Sequence, residues 1–260
     1  MTALLLAVDV GNSHTVAGLY ADANLENHWR LATESHTTAD QLAVAYSSLL
    51  SLQGLSLGGI GEIIVSSVVP PLASQYQLLA RRYFGSEALI VGPGTKTGLP
   101  VMINNPHEVG ADRVVNAVAA IDILGGPCVV VDFGTATTFC AISGAGEYMG
   151  GAIAPGVEVS LEALTARAAR LSRVELFEPE AVIGRTTAGS LRSGVIFGFA
   201  GLVDGLVTRF KLELGEPEVA TIATGGFAGL IVPHTQTLSL IDPLLTLKGL
   251  KLIHERNQKK

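Results

Sequence analysis

The sequence predicts an α/β fold built from two similar halves, and three observations carry that prediction. Residues 8–15 read V-D-V-G-N-S-H-T and residues 131–138 read V-D-F-G-T-A-T-T. Val-Asp-x-Gly, a small polar residue and a Thr three further on therefore occur twice. Each copy follows an apolar run of the length of a buried strand, Ala3 to Val8 and Cys128 to Val131. Strand-like and helix-like stretches then alternate after each copy, the pattern of an α/β layer fold. Gly125-Gly126-Pro127 ends a helix and marks the expected boundary, giving halves of residues 1–124 and 125–260.

In the first half, Val16 to Tyr20 and His28 to Leu31 read as further strands of a meander. Thr37-Thr38-Ala39-Asp40 caps a helix whose Leu42, Tyr46, Leu49 and Leu50 fall at helical spacing. Glu62 to Ser66 is a short buried strand. Pro70-Pro71 opens a second helix through Leu72, Tyr76, Leu79 and Tyr83, and Ala88 to Val91 is the next strand. Gly98 to Pro106 has turn and cap residues without a helical pattern, and a helix follows from Val114 to Leu124. In the second half, strands are expected near Cys128 to Asp132, Thr137 to Ser143, Glu147 to Ile153 and Val219 to Thr224. A helix runs from Val157 to about Leu171 and another from Gly189 to Leu214. The latter carries Gly194, Gly198, Gly201 and Gly205. Each interior glycine costs a helix about 1 kcal/mol, so close helix-to-helix packing is expected there, within the chain or across a dimer. Glu255 to Lys260 reads as a charged, frayed tail.

Composition narrows the function classes. The chain has 260 residues, 48% of them hydrophobic, and a mean hydropathy of +0.44, which implies a thick core or a buried oligomer face. No apolar run approaches the ~18 residues that a membrane span needs. Leu4-Leu5-Leu6-Ala7-Val8 lacks a basic leader and meets Asp9 at once, so it reads as a strand and not as a signal peptide. A net charge of −6 disfavours a nucleic-acid partner. The two cysteines, Cys128 and Cys140, read as small buried hydrophobes in a reducing compartment. Six histidines show no metal-ligand spacing, and Glu158 and Glu162 read as a solvated helix face. The expectation is a soluble cytoplasmic protein with neither membrane nor nucleic acid as partner.

Asp9 and Asp132 carry the strongest chemical signal. One such Asp can simply cap its turn, but two copies at matched strand ends point to a nucleotide site fed by both halves. The Gly two residues after each Asp lets backbone approach a phosphate closely. Asn12, Ser13, Thr15, Thr135, Thr137 and Thr138 add neutral hydrogen-bonding groups. A carboxylate near polyphosphate requires a cation between them, so Asp9 implies Mg²⁺, held through water. The chain has no G-x-x-x-x-G-K-[ST] loop and no G-x-G-x-x-G after its first strand. Gly110-Ala111-Asp112-Arg113 sits at a helix start, where Asp112 can accept a hydroxyl proton and Arg113 can hold an anionic group bidentately. That pair suits an alcohol substrate bearing a carboxylate, and phosphoryl transfer needs little beyond positioning, metal and charge stabilisation. Ala223-Thr224-Gly225-Gly226-Phe227 offers a turn that a flat ligand such as adenine can approach.

Together these residues resemble the type III pantothenate kinases, of the acetate and sugar kinase/Hsp70/actin superfamily. The resemblance runs over nearly the whole chain. It rests on Asp9 to Ser13, Asn105-Pro106 through Arg113, Val130 to Thr138, Gly150 to Gly156, and Ala223 to Gly226. It implies duplicated ribonuclease H-like (actin-like ATPase) halves, with the active site in the cleft between them, working as a homodimer. It implies ATP-dependent phosphorylation of pantothenate to 4′-phosphopantothenate, the first step towards coenzyme A. By that resemblance Asp9, Val10, Gly11, Asn12, Ser13, His14, Thr15 and Val16 hold the ATP phosphates and Mg²⁺, and Thr135 touches the nucleotide. Gly110, Ala111, Asp112 and Arg113 bind pantothenate, with Asp112 as the base. Asp132 holds a monovalent cation, K⁺ or NH₄⁺. Thr187 matches a substrate-contacting Thr, with Thr186 as the adjacent choice.

Two positions depart from the family pattern. Ser13 stands where Thr is usual and keeps the hydroxyl. Ile103 stands where a pocket Tyr is common, which removes a ring and a hydroxyl from the pocket wall. The competing readings are a kinase of another small hydroxy acid or sugar, and a nucleotide-binding regulator without turnover.

Overall fold

The computed structural model describes residues 4–168, 171 and 174–258. It contains two five-stranded sheets of the same design. In the first, β1 (Leu4–Val10), β2 (His14–Ala21) and β3 (Asn24–Ala32) form an antiparallel meander. β4 (Ile60–Ser67) and β5 (Ala88–Ile90) add in parallel on the other side of β1, giving the order β3-β2-β1-β4-β5. In the second, β6 (Cys128–Phe133), β7 (Ala136–Ile142) and β8 (Tyr148–Pro155) repeat the meander. β9 (Ala220–Thr224) and β10 (Leu240–Ile241) repeat the parallel additions, giving β10-β9-β6-β7-β8. The duplicated ribonuclease H-like arrangement is therefore present, strand for strand.

Local sequence explains the elements. Central β1 and β6 are apolar on both faces up to their aspartates, as strands covered on both sides must be. Edge strand β3 instead alternates, with Leu25, Trp29 and Leu31 half-buried and Glu26, His28 and Arg30 exposed. Helix α1 (Ala39–Ser51) starts from a capping box: Thr38 Oγ1 accepts from Gln41 N, and Gln41 Oε1 accepts from Thr38 N at 2.8 Å. Helix α2 (Pro70–Leu79) opens on two prolines and runs into a π-helical turn, Ala80–Phe84, that stops at Gly85 (φ +65°). Tyr46 and Tyr76 join the two helices through hydroxyls 2.9 Å apart in the core.

The remaining helices are α3 (Ala111–Leu124), α4 (Val157–Arg167), α5 (Thr187–Leu214), α6 (Ala228–Ile231) and α7 (Leu245–Gln258). Helix α3 begins at Ala111, three residues before the expected Val114, so Asp112 lies inside its first turn. The expected first strand reached back to Ala3, and the expected α4 passed through residues 169 and 170; these lie outside the described residues.

Two expectations are corrected. Glu255 is not in a frayed tail, because α7 continues to Gln258 with Leu250, Ile253 and His254 buried. Its Arg256 guanidinium donates to the Thr97 carbonyl, and Asn257 Nδ2 donates to the Lys96 carbonyl at 3.1 Å. Close helix packing at the α5 glycines is not met among the described residues at three of them: a Cβ on Gly194, Gly198 or Gly201 would meet open space.

The chain divides into two compact units. One comprises residues 1–98, 107–119 and 246–260, and the other residues 99–106 and 120–245. The partition is interleaved, where a single cut after residue 124 was expected. Each unit has its own core: Leu6, Val8, Leu19, Tyr46 and Tyr76 in the first, Val129, Val131, Phe139, Ile196 and Val203 in the second.

Candidate active site

In the first unit, Asp9 is the one half-buried residue among the last six of β1. The turn that follows closes through Gly11 N donating to His14 O at 3.0 Å. A Cβ on Gly11 would stand 2.9 Å from that same oxygen, so the turn is drawn for glycine. Asn12, Ser13 and His14 are exposed at its tip, and Val16 is half-buried. Thr15 is buried and bonds Thr33 through hydroxyls 2.8 Å apart. Arg30 Nη2 lies 3.0 Å from His14 Nδ1, which places a guanidinium at the turn. Sequence reading missed Arg30 because it acts from the next strand, 16 residues away.

The same unit holds Asp112. Its carboxylate lies directly over Gly110, in the space a Cβ there would take. Burial raises its pKa above the usual carboxylate value, against the backbone N–H and charge of Arg113, which lower it. Gly110 approaches Val68, which continues from β4 and donates its N–H to Val10 O at 3.1 Å. The register of the parallel ladder sets Asp9 beside Ser66. The structure thus brings the Asp9 turn, the end of β4 and Gly110 to Arg113 together. Ser66, also missed, is fully buried with no hydrogen-bond partner for its hydroxyl among the described residues.

In the second unit, Asp132 occupies the same place on β6, but its turn is tighter. Gly134 N donates to Ala136 O at 3.1 Å, and Asp132 pairs with Thr138 where Asp9 pairs with Val16. Thr15 therefore corresponds to Thr137 and not to Thr138, which an ungapped reading suggested. A Cβ on Gly225 (φ +93°) would stand 2.6 Å from Asp132 Oδ1, so this glycine is needed for close packing on the carboxylate. Gly156 lies against the Gly134 and Thr135 carbonyls at the start of α4 and donates to Thr135 O at 3.1 Å. Thr135 is exposed. Thr186 caps α5 by accepting from Gly189 N at 3.0 Å, and Thr187 is exposed. Ile103 stands near Gly150. On α4, Glu158 is half-buried and Glu162 exposed; with Glu175, Leu161, Leu176 and Phe227 they line an open cleft of about 470 Å³.

No group of three His, Cys, Asp or Glu able to hold a metal exists among the described residues. Each turn offers one carboxylate amid hydroxyl and carbonyl oxygens, a donor set that fits a hard cation completing its shell with water or phosphate. No described helix is long and apolar enough to cross a membrane.

The profile of the type III pantothenate kinases matches residues 5–209. The chain belongs to the type III pantothenate kinase family. Among the relatives of this family member, the type III pantothenate kinase of Moorella thermoacetica is 47% identical over 254 residues, spanning 98% of this chain and 100% of that one. That of Streptomyces avermitilis is 48% identical over 261 residues, 98% of each. Similar solved structures include a conserved Baf family protein from Campylobacter jejuni, at TM-score 0.61 and 20% identity, covering 98% of this chain and 100% of that one. Component A of (R)-2-hydroxyglutaryl-CoA dehydratase from Acidaminococcus fermentans has TM-score 0.52 at 12% identity, covering 99% and 100%. These two likenesses establish the fold of this kinase family member and nothing of its chemistry.

Proposed function

We propose that this family member transfers the γ-phosphoryl group of ATP to the primary hydroxyl of pantothenate, the first step of coenzyme A synthesis, with Asp112 as base. The observation that carries the reading is Asp112 itself, held over Gly110 in the same unit as the Asp9 turn with a raised pKa. A carboxylate made more basic by burial is better matched to taking a hydroxyl proton. As the pantothenate oxygen bonds to the γ-phosphorus, its proton passes to Asp112 and the bond to the ADP oxygen breaks. Arg113 holds the substrate carboxylate.

The turn Asp9 to Val16 would hold the phosphates, with Arg30 adding positive charge, and Thr135 would contact the nucleotide. Asp9 would hold Mg²⁺ through water, which when bound neutralises phosphate charge. Asp132 would hold K⁺ or NH₄⁺. Adenine would lie beside Phe227, which lines an open cleft with Leu161 and Leu176. Thr186 is occupied as a helix cap, which supports Thr187 as the substrate-facing hydroxyl. The open glycine face of α5 supports a homodimer, and the protein would work in the cytoplasm.

The test is ADP release with ATP, Mg²⁺ and pantothenate, run in K⁺ and again in Na⁺ alone. Turnover that needs both pantothenate and K⁺ is expected. Turnover indifferent to K⁺ would remove the cation from Asp132. ATP binding without turnover would move the assignment to another acceptor or to regulation.

A further inference from the structure

Ser66, next to last in β4, has 0% exposure, yet its hydroxyl has no hydrogen-bond partner among the described residues. A buried hydroxyl left unpaired destabilises a fold, and alanine at the same place would avoid that penalty. The β1–β4 ladder pairs Ser66 with Asp9 in parallel register, so their side chains stand on one face of neighbouring strands. The second unit repeats the placement, since the β6–β9 ladder pairs Asp132 with Thr224, a hydroxyl residue only 2% exposed. Each aspartate thus has a buried hydroxyl residue at the same point of the strand parallel to its own.

We propose that Ser66 is a positioning residue for the Asp9 carboxylate, donating its hydroxyl to that carboxylate when nucleotide engages the turn. A donated hydrogen bond favours the ionised form of a carboxylate and fixes its orientation. The hydroxyl has no partner among the described residues, and donation to the Asp9 carboxylate would supply one. This rests on the reading of the Asp9 turn as the phosphate site.

Calorimetric MgATP binding and ligand-free thermal unfolding of the full chain test it, in wild type, Ser66→Ala, Asp9→Asn and the double variant. Ser66→Ala is expected to bind MgATP about tenfold more weakly. It should also raise KM for ATP by a similar factor, leaving kcat and KM for pantothenate within about twofold, and unfold no earlier than wild type. In the Asp9→Asn background the further loss should fall below about twofold, because the charged carboxylate acceptor has become a neutral amide oxygen and the charge-assisted bond is lost. Wild-type affinity in Ser66→Ala, a lowered ligand-free melting temperature, or losses that multiply in the double variant would each overturn the proposal. Failure of the wild type to bind MgATP, or unchanged binding by Asp9→Asn, would instead overturn the phosphate-site reading and the proposal with it.

Discussion

The two aspartate turns begin from the same strand order and nearly the same residues, yet they are finished differently. The first is one residue longer between its paired strands and ends in three exposed polar side chains, Asn12, Ser13 and His14. The second is tighter and has two glycines of the chain laid against it, Gly225 on the Asp132 carboxylate and Gly156 on the Thr135 carbonyl. An open tip suits a ligand that arrives and leaves with each turnover. A carboxylate hemmed in by backbone suits a small ion that stays. The element is repeated; loop length and packing finish each copy differently.

The largest expected effect falls on the first unit, which holds Asp112, the base proposed above. Asp112→Asn should lower kcat about 10²- to 10⁴-fold and leave MgATP affinity close to wild type, read by steady-state kinetics and calorimetry. In the wild type, the rate should rise with pH along a limb displaced upward from the ordinary aspartate value, because the reacting form is ionised and burial raises its pKa. The stability sign is opposite. A raised pKa means the folded state binds the proton more tightly than the unfolded chain, so Asp112 reduces stability as pH climbs from the unfolded value through the folded one. At neutral pH the Asn variant should therefore unfold no earlier than wild type.

Glycine substitution next separates the enclosed turn from the open one. Alanine at Gly225 must adopt φ near +93° with its Cβ 2.6 Å from Asp132 Oδ1 and from Phe133 backbone. The expected cost is about 3 kcal/mol, a fall in Tm of roughly 6–12 °C for a chain of this size. Alanine at Gly11 meets one carbonyl oxygen at 2.9 Å, and about 1 kcal/mol is expected. Equal losses in thermal scans would erase the distinction between the turns.

Much of this was legible because it repeats or follows a simple period. The Asp turns announced two sheets, and Thr38, Pro70-Pro71 and the apolar strand runs announced their elements. What escaped depends on contacts between segments far apart in the chain. Helix α7 hides among the charges of Lys248, Lys251 and Glu255, and is held by carbonyls at Lys96 and Thr97 that no local pattern reveals. Two-residue β10 exists through its pairing with β9. Arg30 and Ser66 reach the first turn only through strand register. The one-residue difference between the turns is invisible in an ungapped repeat, and it reassigns Thr15 from Thr138 to Thr137.

That reassignment yields the smallest and sharpest test. Thr15 and Thr137 occupy equivalent places, but Thr15 bonds Thr33 at 2.8 Å, whereas the buried Thr137 hydroxyl has no partner among the described residues. Valine keeps the shape of threonine and removes the hydroxyl. At Thr137 it should stabilise by about 1 kcal/mol, because an unpaired buried polar group is lost, raising Tm by roughly 2–4 °C. At Thr15 it should destabilise by a similar amount, because a made hydrogen bond is broken and Thr33 is left without that partner. Opposite shifts in paired thermal scans would confirm both the register correspondence and the different filling of the two turns. A Thr137→Val variant that melts earlier than wild type would mean that hydroxyl has a bound partner, and the second turn would then be no more self-contained than the first.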